Sequence, residues 1–197
     1  MWKDLAARLE GELVALEPLG REHEPGLYEA AQDMDWTWMP VRADASRDAF
    51  RAWLQDALTR TEVGLDVALV TVAAQTGAPI GSTRYLNLRP EHRGLEIGWT
   101  WLRRSSWSSG ANVEAKLLML EHAFERHGCI RVEFKTDARN ERSRRALEAL
   151  PARFEGIFRK HMIVQGGQLR DSAWYAIIDD DWPAVRTNLE RRLRTRV

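Results

Sequence analysis

Between Val67 and Leu102 three apolar segments follow one another with very little chain between them. "VALVTVA" (Val67 to Ala73), Ile80 to Leu88 and Leu95 to Leu102 each read as a strand, and they are joined through "QTGAP" and "RPEHRG". Connections this short cannot carry the crossover that parallel strands need, so the three form an antiparallel meander. The pattern then changes period. Val113, Leu117, Leu120 and Phe124 recur at helical steps, and Gly128 supplies a C-terminal stop.

The remaining elements fall on either side of this frame. "ELVALEPL" (Glu12 to Leu19) reads as an opening strand, followed by helices in "REHEPGLYEAAQDM" and "SRDAFRAWLQDALTRT", the second capped by Ser46. "IRVEFKT" alternates Ile130, Val132 and Phe134 with charged neighbours. "NERSRRALEAL" is a shorter helix, ended at Leu150 because Pro151 follows. "GIFRKHMIVQ" and "QLRDSAWYAII" form a hairpin about Gly166 and Gly167. The order predicts an α/β (α+β) fold, a mixed sheet with helices on its faces. At 197 residues the chain is expected to be one domain over 1–197, able to bury a core without disulfides or metal.

Lys plus Arg and Asp plus Glu both number 29, so global charge points to neither nucleic acid nor an anionic membrane. Cys129 is the lone cysteine, which excludes an internal disulfide and suits a reducing compartment. The longest apolar run, Val67 to Ala74, is too short to span a bilayer, and residues 1–20 are too charged for a signal peptide. These readings place the chain in the cytoplasm. His23, His92, His122 and His127 show no metal-ligand spacing, so no metal is expected.

"WTWLRRSSWSSGANVEAKLLMLEHAFERHG" passes from strand to helix through serines and a glycine. Exposed N–H groups at a helix start attract anions, so this junction suits a phosphate-bearing ligand, although serines also favour plain helix caps. Neither G-x-x-x-x-G-K-[ST] nor G-x-G-x-x-G occurs, which disfavours a P-loop hydrolase or a dinucleotide oxidoreductase.

Four stretches in this order, Glu96 to Leu102, Trp107 to Glu125, Lys135 to Leu150 and Phe154 to Ile177, resemble the GCN5-related N-acetyltransferase superfamily, and most closely its ribosomal-protein N-acetyltransferase branch. The likeness covers residues 12–183 and leaves 184–197 as a basic C-terminal helix or tail. It implies a mostly antiparallel sheet of six to seven strands, flanked by about four helices and splayed between the fourth and fifth strands.

The resemblance also implies acetyl-CoA as co-substrate. Trp107, Ser108, Ser109, Gly110, Ala111 and Asn112 then form the pyrophosphate turn, in which Gly110 allows close backbone approach and Trp107 and Asn112 depart from the superfamily's general form. Asn140 would hydrogen-bond the pantetheine arm, unless it is simply an N-cap. Ser143 would protonate the leaving sulfur. Backbone N–H groups around Trp101 and Leu102 would polarise the thioester carbonyl. Between Arg139 and Lys160 seven basic residues, Arg145 among them, face three glutamates, an excess suited to the 3′-phosphate or to a solvated helix face. Pro151 stands where relatives usually carry glycine. Met162 stands where some branch members carry a catalytic Glu, which leaves Glu96 and His161 as candidate bases. Trp38 and Trp99, with Trp36, Trp53 and Trp101, either line the acceptor pocket or fill the core. Asp171 would bind the acceptor ammonium, or pair within its hairpin.

The expected activity is acetyl transfer to a primary amine. A protein N-terminal α-amine is favoured, since at pH 7 about a tenth of such amines are neutral against about one lysine in several thousand. A small-molecule amine acetyltransferase and a non-catalytic acyl-CoA-binding module are the alternatives. No membrane or direct nucleic-acid partner is expected. The strands and exposed tryptophans permit a homodimer.

Overall fold

The computed structural model describes Trp2 and residues 4–195. Among the described residues, eight strands form one sheet in the order β1-β2-β3-β4-β5-β6-β8-β7. They are β1 (Leu9–Glu10), β2 (Val14–Pro18), β3 (Val67–Ala73), β4 (Pro79–Arg89), β5 (Gly94–Leu102), β6 (Arg131–Asp137), β7 (Arg153–Val164) and β8 (Gln168–Ile178). Only β5 and β6 run parallel; every other neighbouring pair is antiparallel. The meander is β3-β4-β5, as the short connections require. The helices are α1 (Glu24–Gln32), α2 (Arg47–Glu62), α3 (Ala111–Glu121), α4 (Glu141–Ala149) and α5 (Trp182–Arg194).

One count differs from the sequence reading. The sheet has eight strands rather than six to seven, because the two-residue β1 pairs with β2 as an edge strand whose brevity hides its alternation. Among the described residues there are five helices, the fifth, α5, being the C-terminal helix offered as one reading of 184–197. α5 forms because Trp182, Val185 and Leu189, spaced three and four residues apart, bury one stripe while Arg191, Arg192 and Arg194 gather in its last turn. Arg196 and Val197, included in the predicted tail, lie outside the described residues.

Strand alternation divides the core into two layers. Ala68, Val70 and Val72 of β3 face α1 and α2, where Leu27, Phe50, Trp53 and Leu54 are buried. Leu69 faces the opposite way, toward Met119 and Leu120 of α3 and Leu189 of α5. Both faces are covered, so "VALVTVA" is apolar almost throughout. Ser46 caps α2 by accepting the Ala49 N–H at 3.0 Å, and α4 ends at Ala149, just before the Leu150–Pro151 pair. The hairpin turns at Gly166 and Gly167, whose φ values of 69° and 73° suit residues without a Cβ. Among the described residues, no helix is long and apolar enough to cross a membrane.

Candidate active site

The site begins where two strands part. β5 and β6 pair only over Gly94–Glu96 against Arg131–Glu133. Beyond that, β6 follows β8 while β5 stays with β4. A bulge increases the divergence: Gly98 pairs with Arg84 and Trp101 with Ser82, so three steps on β5 oppose two on β4, and Trp99 takes φ 51°. From Ile97 onward, about every second amide of β5 points away from β4 with no strand to receive it. A cavity of about 490 Å³ opens there, between β5, Phe134–Thr136 of β6 and the starts of α3 and α4.

The turn into α3 forms one end of this cavity. Ser108 and Gly110 have φ 61° and 97°, a left-handed backbone that turns the chain sharply and favours glycine at the second position. Trp107 is pinned by its Nε1 donating to the Leu102 carbonyl at 3.0 Å, and the Arg142 guanidinium lies 3.7 Å from its ring centroid. Trp107, Ser108, Gly110 and Asn112 line the cavity; Ser109 and Ala111 do not. The Ser109 hydroxyl donates to the Ser106 carbonyl at 2.8 Å and accepts the Ala111 N–H at 3.2 Å, so these two residues close the turn itself.

α4 supplies Asn140, Arg142 and Ser143. Asn140 Oδ1 accepts the Ser143 N–H at 3.1 Å, so the buried Asn140 is the N-cap and also a cavity residue. The N-cap reading is the one the geometry displays. Arg145 points elsewhere, paired with the exposed Glu141 at 2.5 Å. The helical period explains this: Arg142 is one step from Ser143 on the inward side, while Arg145 follows Glu141 onto the solvent face.

The other end is bounded by the loop after α1. Gln165, at the hairpin tip, holds that loop: its Nε2 donates to the Trp36, Thr37 and Met39 carbonyls at 3.0, 3.2 and 2.9 Å, and its N–H donates to the Pro40 carbonyl at 2.9 Å. Trp38 and Trp99 line the cavity, with the Arg84 guanidinium 4.7 Å from the Trp99 ring. Trp36, Trp53 and Trp101 pack on one another at 5.4–6.4 Å and are buried, so these rings belong mainly to the core. Trp101 and Leu102 also contribute to the cavity wall.

Glu96 is 1% exposed and lines the cavity. Its Oε2 accepts from Lys135 Nζ at 2.7 Å and from Asn87 Nδ2 at 2.6 Å. Burial raises its pKa, and the Lys135 charge opposes that rise. Glu96 is therefore engaged in an ion pair on the cavity wall. Lys116, from α3, is buried at 6% exposure on the cavity wall; its Nζ donates to Thr100 Oγ1 at 2.7 Å, and desolvation lowers its pKa to about 7.

Two candidates lie away from the cavity. His161 packs edge-on against Trp174, with Nδ1 3.1 Å from Ser172 Oγ. Burial, with the Lys135 and Arg170 charges, lowers its pKa. It sits in a β7 bulge where Phe158 and Met162 pair with Ser172 and Arg170, and Met162 rather than His161 reaches the cavity. Asp171 accepts the Lys160 N–H at 2.7 Å and closes the same bulge. Its hairpin contact is with a backbone amide and not the expected charge pair. Cys129 is buried and its thiol is pushed up to about 12, a packing residue rather than a nucleophile. Among the described residues, no group of three or more His, Cys, Asp or Glu is placed to hold a metal ion.

The acetyltransferase (GNAT) domain family matches residues 14–153. The chain belongs to this family. A GCN5-related N-acetyltransferase from Brucella melitensis is 30% identical, with TM-score 0.87 over 94% of this chain and 85% of that one. A T. thermophilus protein assigned as an acetyltransferase is 38% identical, with TM-score 0.82 over 94% and 96%. The ribosomal-protein-S5-alanine acetyltransferase from Vibrio fischeri shares the fold at 20% identity, with TM-score 0.70 over 89% and 98%. No curated protein matches.

As a GNAT N-acetyltransferase, the chain belongs to a family that generally uses acetyl-CoA as co-substrate. Its splayed strands are those the resemblance implied. Sequence reading missed Arg142, Lys116, Gln165 and Arg170 as site residues. Arg142 and Arg170 carried only the generic signal of a basic residue. Lys116 and Gln165 carried none, because their partners lie on distant segments.

Proposed function

We propose that this GNAT enzyme transfers the acetyl group of acetyl-CoA to an α-amine, with a peptide or protein N-terminus as acceptor. The observation that carries the reading is the parted β5–β6 pair, whose unpaired β5 amides share one cavity with the Trp107–Asn112 turn, Asn140 and Ser143. The residues suit such a ligand. Gly110 offers close backbone approach at the start of α3, where the helix dipole favours a diphosphate, and Arg142 adds a guanidinium at the same end. Asn140 retains an amide NH2 for a pantetheine carbonyl, since the cap uses only its Oδ1.

Acetyl-CoA supplies an activated thioester. β5 amides would stabilise negative charge on the carbonyl oxygen, and Ser143 would deliver a proton to the departing thiolate, directly or through water. The amine must arrive neutral. Glu96 is tied to Lys135 and Asn87, and the position of the missing Glu is Met162, so the acceptor's own ionisation supplies the nucleophile. This favours an α-amine over a lysine side chain, and the fold likeness to the ribosomal-protein-S5-alanine enzyme is in keeping with an N-terminal acceptor.

Calorimetric titration with acetyl-CoA, together with thiol release over N-terminal peptides, lysine peptides and small amines, tests the reading. Turnover confined to small amines would replace the peptide acceptor, and absence of acetyl-CoA binding would overturn the proposal. In a folded Gly110→Trp protein, acetyl-CoA affinity should fall at least about tenfold because the indole occupies the diphosphate position; unchanged affinity would remove that assignment.

Ser143→Ala should lower kcat about tenfold with little change in the acetyl-CoA KM, since the interaction is made mainly in the transition state. Water substitution keeps the loss below the roughly 10²–10⁴-fold range of direct general-acid effects. The rate of both wild type and Glu96→Gln should rise with pH toward the acceptor's amine pKa. An acidic limb lost only in Glu96→Gln would instead make Glu96 the base.

A further inference from the structure

Arg170 stands at the junction of the main cavity and a smaller one beneath the hairpin turn, lining both. The residue is 5% exposed, and its Nε is buried with no hydrogen-bond partner. Among the described residues, no carboxylate forms an ion pair with it. Two carboxylates act on its charge from nearby, Asp137 and Glu96. Both are committed elsewhere. Asp137 Oδ1 accepts the N–H and Nε–H of Arg139 at 2.9 and 3.0 Å, and its Oδ2 accepts Arg139 Nη2 at 2.9 Å. Glu96 holds Lys135 and Asn87.

A buried guanidinium without a counter-charge is unfavourable until an anion completes it. Its planar fork matches a carboxylate, to which it can donate two parallel hydrogen bonds. The other charges around the smaller cavity leave this one uncompensated: Arg42 is paired with Asp44, and Arg139 with Asp137. Arg170 lies opposite Met162 in the hairpin register and shares the main cavity with Trp38, at the end away from the α3 turn.

We propose that Arg170 selects the acceptor by binding a carboxylate carried within a few bonds of the reactive amine. The inference rests on the acetyltransferase reading and deepens it by naming the acceptor class. The carboxylate could be the α-carboxylate of a free amino acid or the side chain of an acidic N-terminal residue. Both present the same group to the same fork.

Three product probes separate these sources: N-acetylalanine carries only an α-carboxylate, N-acetylaspartate α-amide only a side-chain carboxylate, and N-acetylalanine amide neither. Each is titrated onto the wild-type protein with and without CoA. At least one acid should bind about ten times more tightly than the neutral amide, and the acid that does so names the source. In Arg170→Met the three should agree within about twofold while CoA affinity is unchanged, and Arg170→Lys should keep part of the preference through a single-point contact. In turnover, the matching free amines should show the preference mainly in acceptor KM.

Equal binding of acid and amide by wild type would overturn the assignment, as would a preference surviving in Arg170→Met. Thermal unfolding verifies that both variants are folded, and Arg170→Gln serves if the Met variant is not. Failure of the acetyltransferase reading would appear separately, as absence of CoA binding to wild type.

Discussion

Glu114→Ala should lower the unfolding free energy by about 3–5 kcal/mol, since each buried donor it strands costs about 1–3 kcal/mol and the outermost can recover water. Glu114 is on α3, yet its carboxylate accepts three successive backbone N–H groups of the chain entering β2: Glu12 at 3.0 Å, Leu13 at 2.7 Å and Val14 at 2.7 Å. It is 6% exposed. The close approach also explains Gly11, where a Cβ would lie 2.5 Å from the Glu114 carboxyl. Glu114→Gln keeps one acceptor oxygen and should lose less. Urea unfolding measures the loss, and amide hydrogen exchange at Val14 should accelerate in the alanine variant. A loss under about 1 kcal/mol would mean that water or another group satisfies these amides. The contact ties β2 to the first turns of α3, the segment that also carries Gly110 and Asn112 into the cavity.

Lys116→Met should be more stable than wild type at pH 7, by about 2–4 kcal/mol, and the advantage should shrink by about 2 kcal/mol between pH 7 and 9. Lys116 is buried, and this burial brings its pKa to about 7. An unfolded lysine keeps its proton up to about 10.4. Between these values the unfolded chain binds one more proton, so wild-type stability rises with pH at about 1.36 kcal/mol per unit, whereas methionine has no proton to lose. Burial also raises the pKa values of Cys129 and Tyr85, which lowers stability at higher pH, but those effects are common to both proteins and cancel in the difference. Thr83 and Thr100, 2.7 Å apart, remain hydrogen-bonded to each other when the amine is removed. Denaturant unfolding of both proteins over this range provides the test. A pH-independent difference would mean that Lys116 stays charged in the folded protein throughout this range, since only then do both states bind the same number of protons.

Both predictions concern residues that the helical pattern did not single out. The stripe Val113, Leu117, Leu120 and Phe124 gave the existence of α3 and its inward face correctly, but the helix lies beneath the sheet with Glu114 and Lys116 buried as well. A period reports which side chains are apolar, and a buried polar side chain is visible only through its partners. For Glu114 those partners lie about a hundred positions earlier in the chain. The final turn of the same helix also differs from the reading, because His122–Arg126 widen into a π-turn before Gly128 ends the element.

By itself the sequence determined what local sterics and short connections control. The β3-β4-β5 meander, the caps at Ser46 and Asn140, the stop before Pro151 and the hairpin about Gly166 and Gly167 all follow from a few neighbouring residues. The resemblance added the parting of β5 from β6. Tertiary structure decided which side chains meet there. It turned Arg142 rather than Arg145 into the cavity, engaged Glu96 with Lys135, used Asp171 to close a bulge, clamped the 36–40 loop with Gln165 and left Arg170 Nε buried with no hydrogen-bond partner among the described residues. Each outcome depends on how strands far apart in the chain align, and a side chain's charge or hydrogen-bonding capacity does not encode the partner that alignment will bring to it.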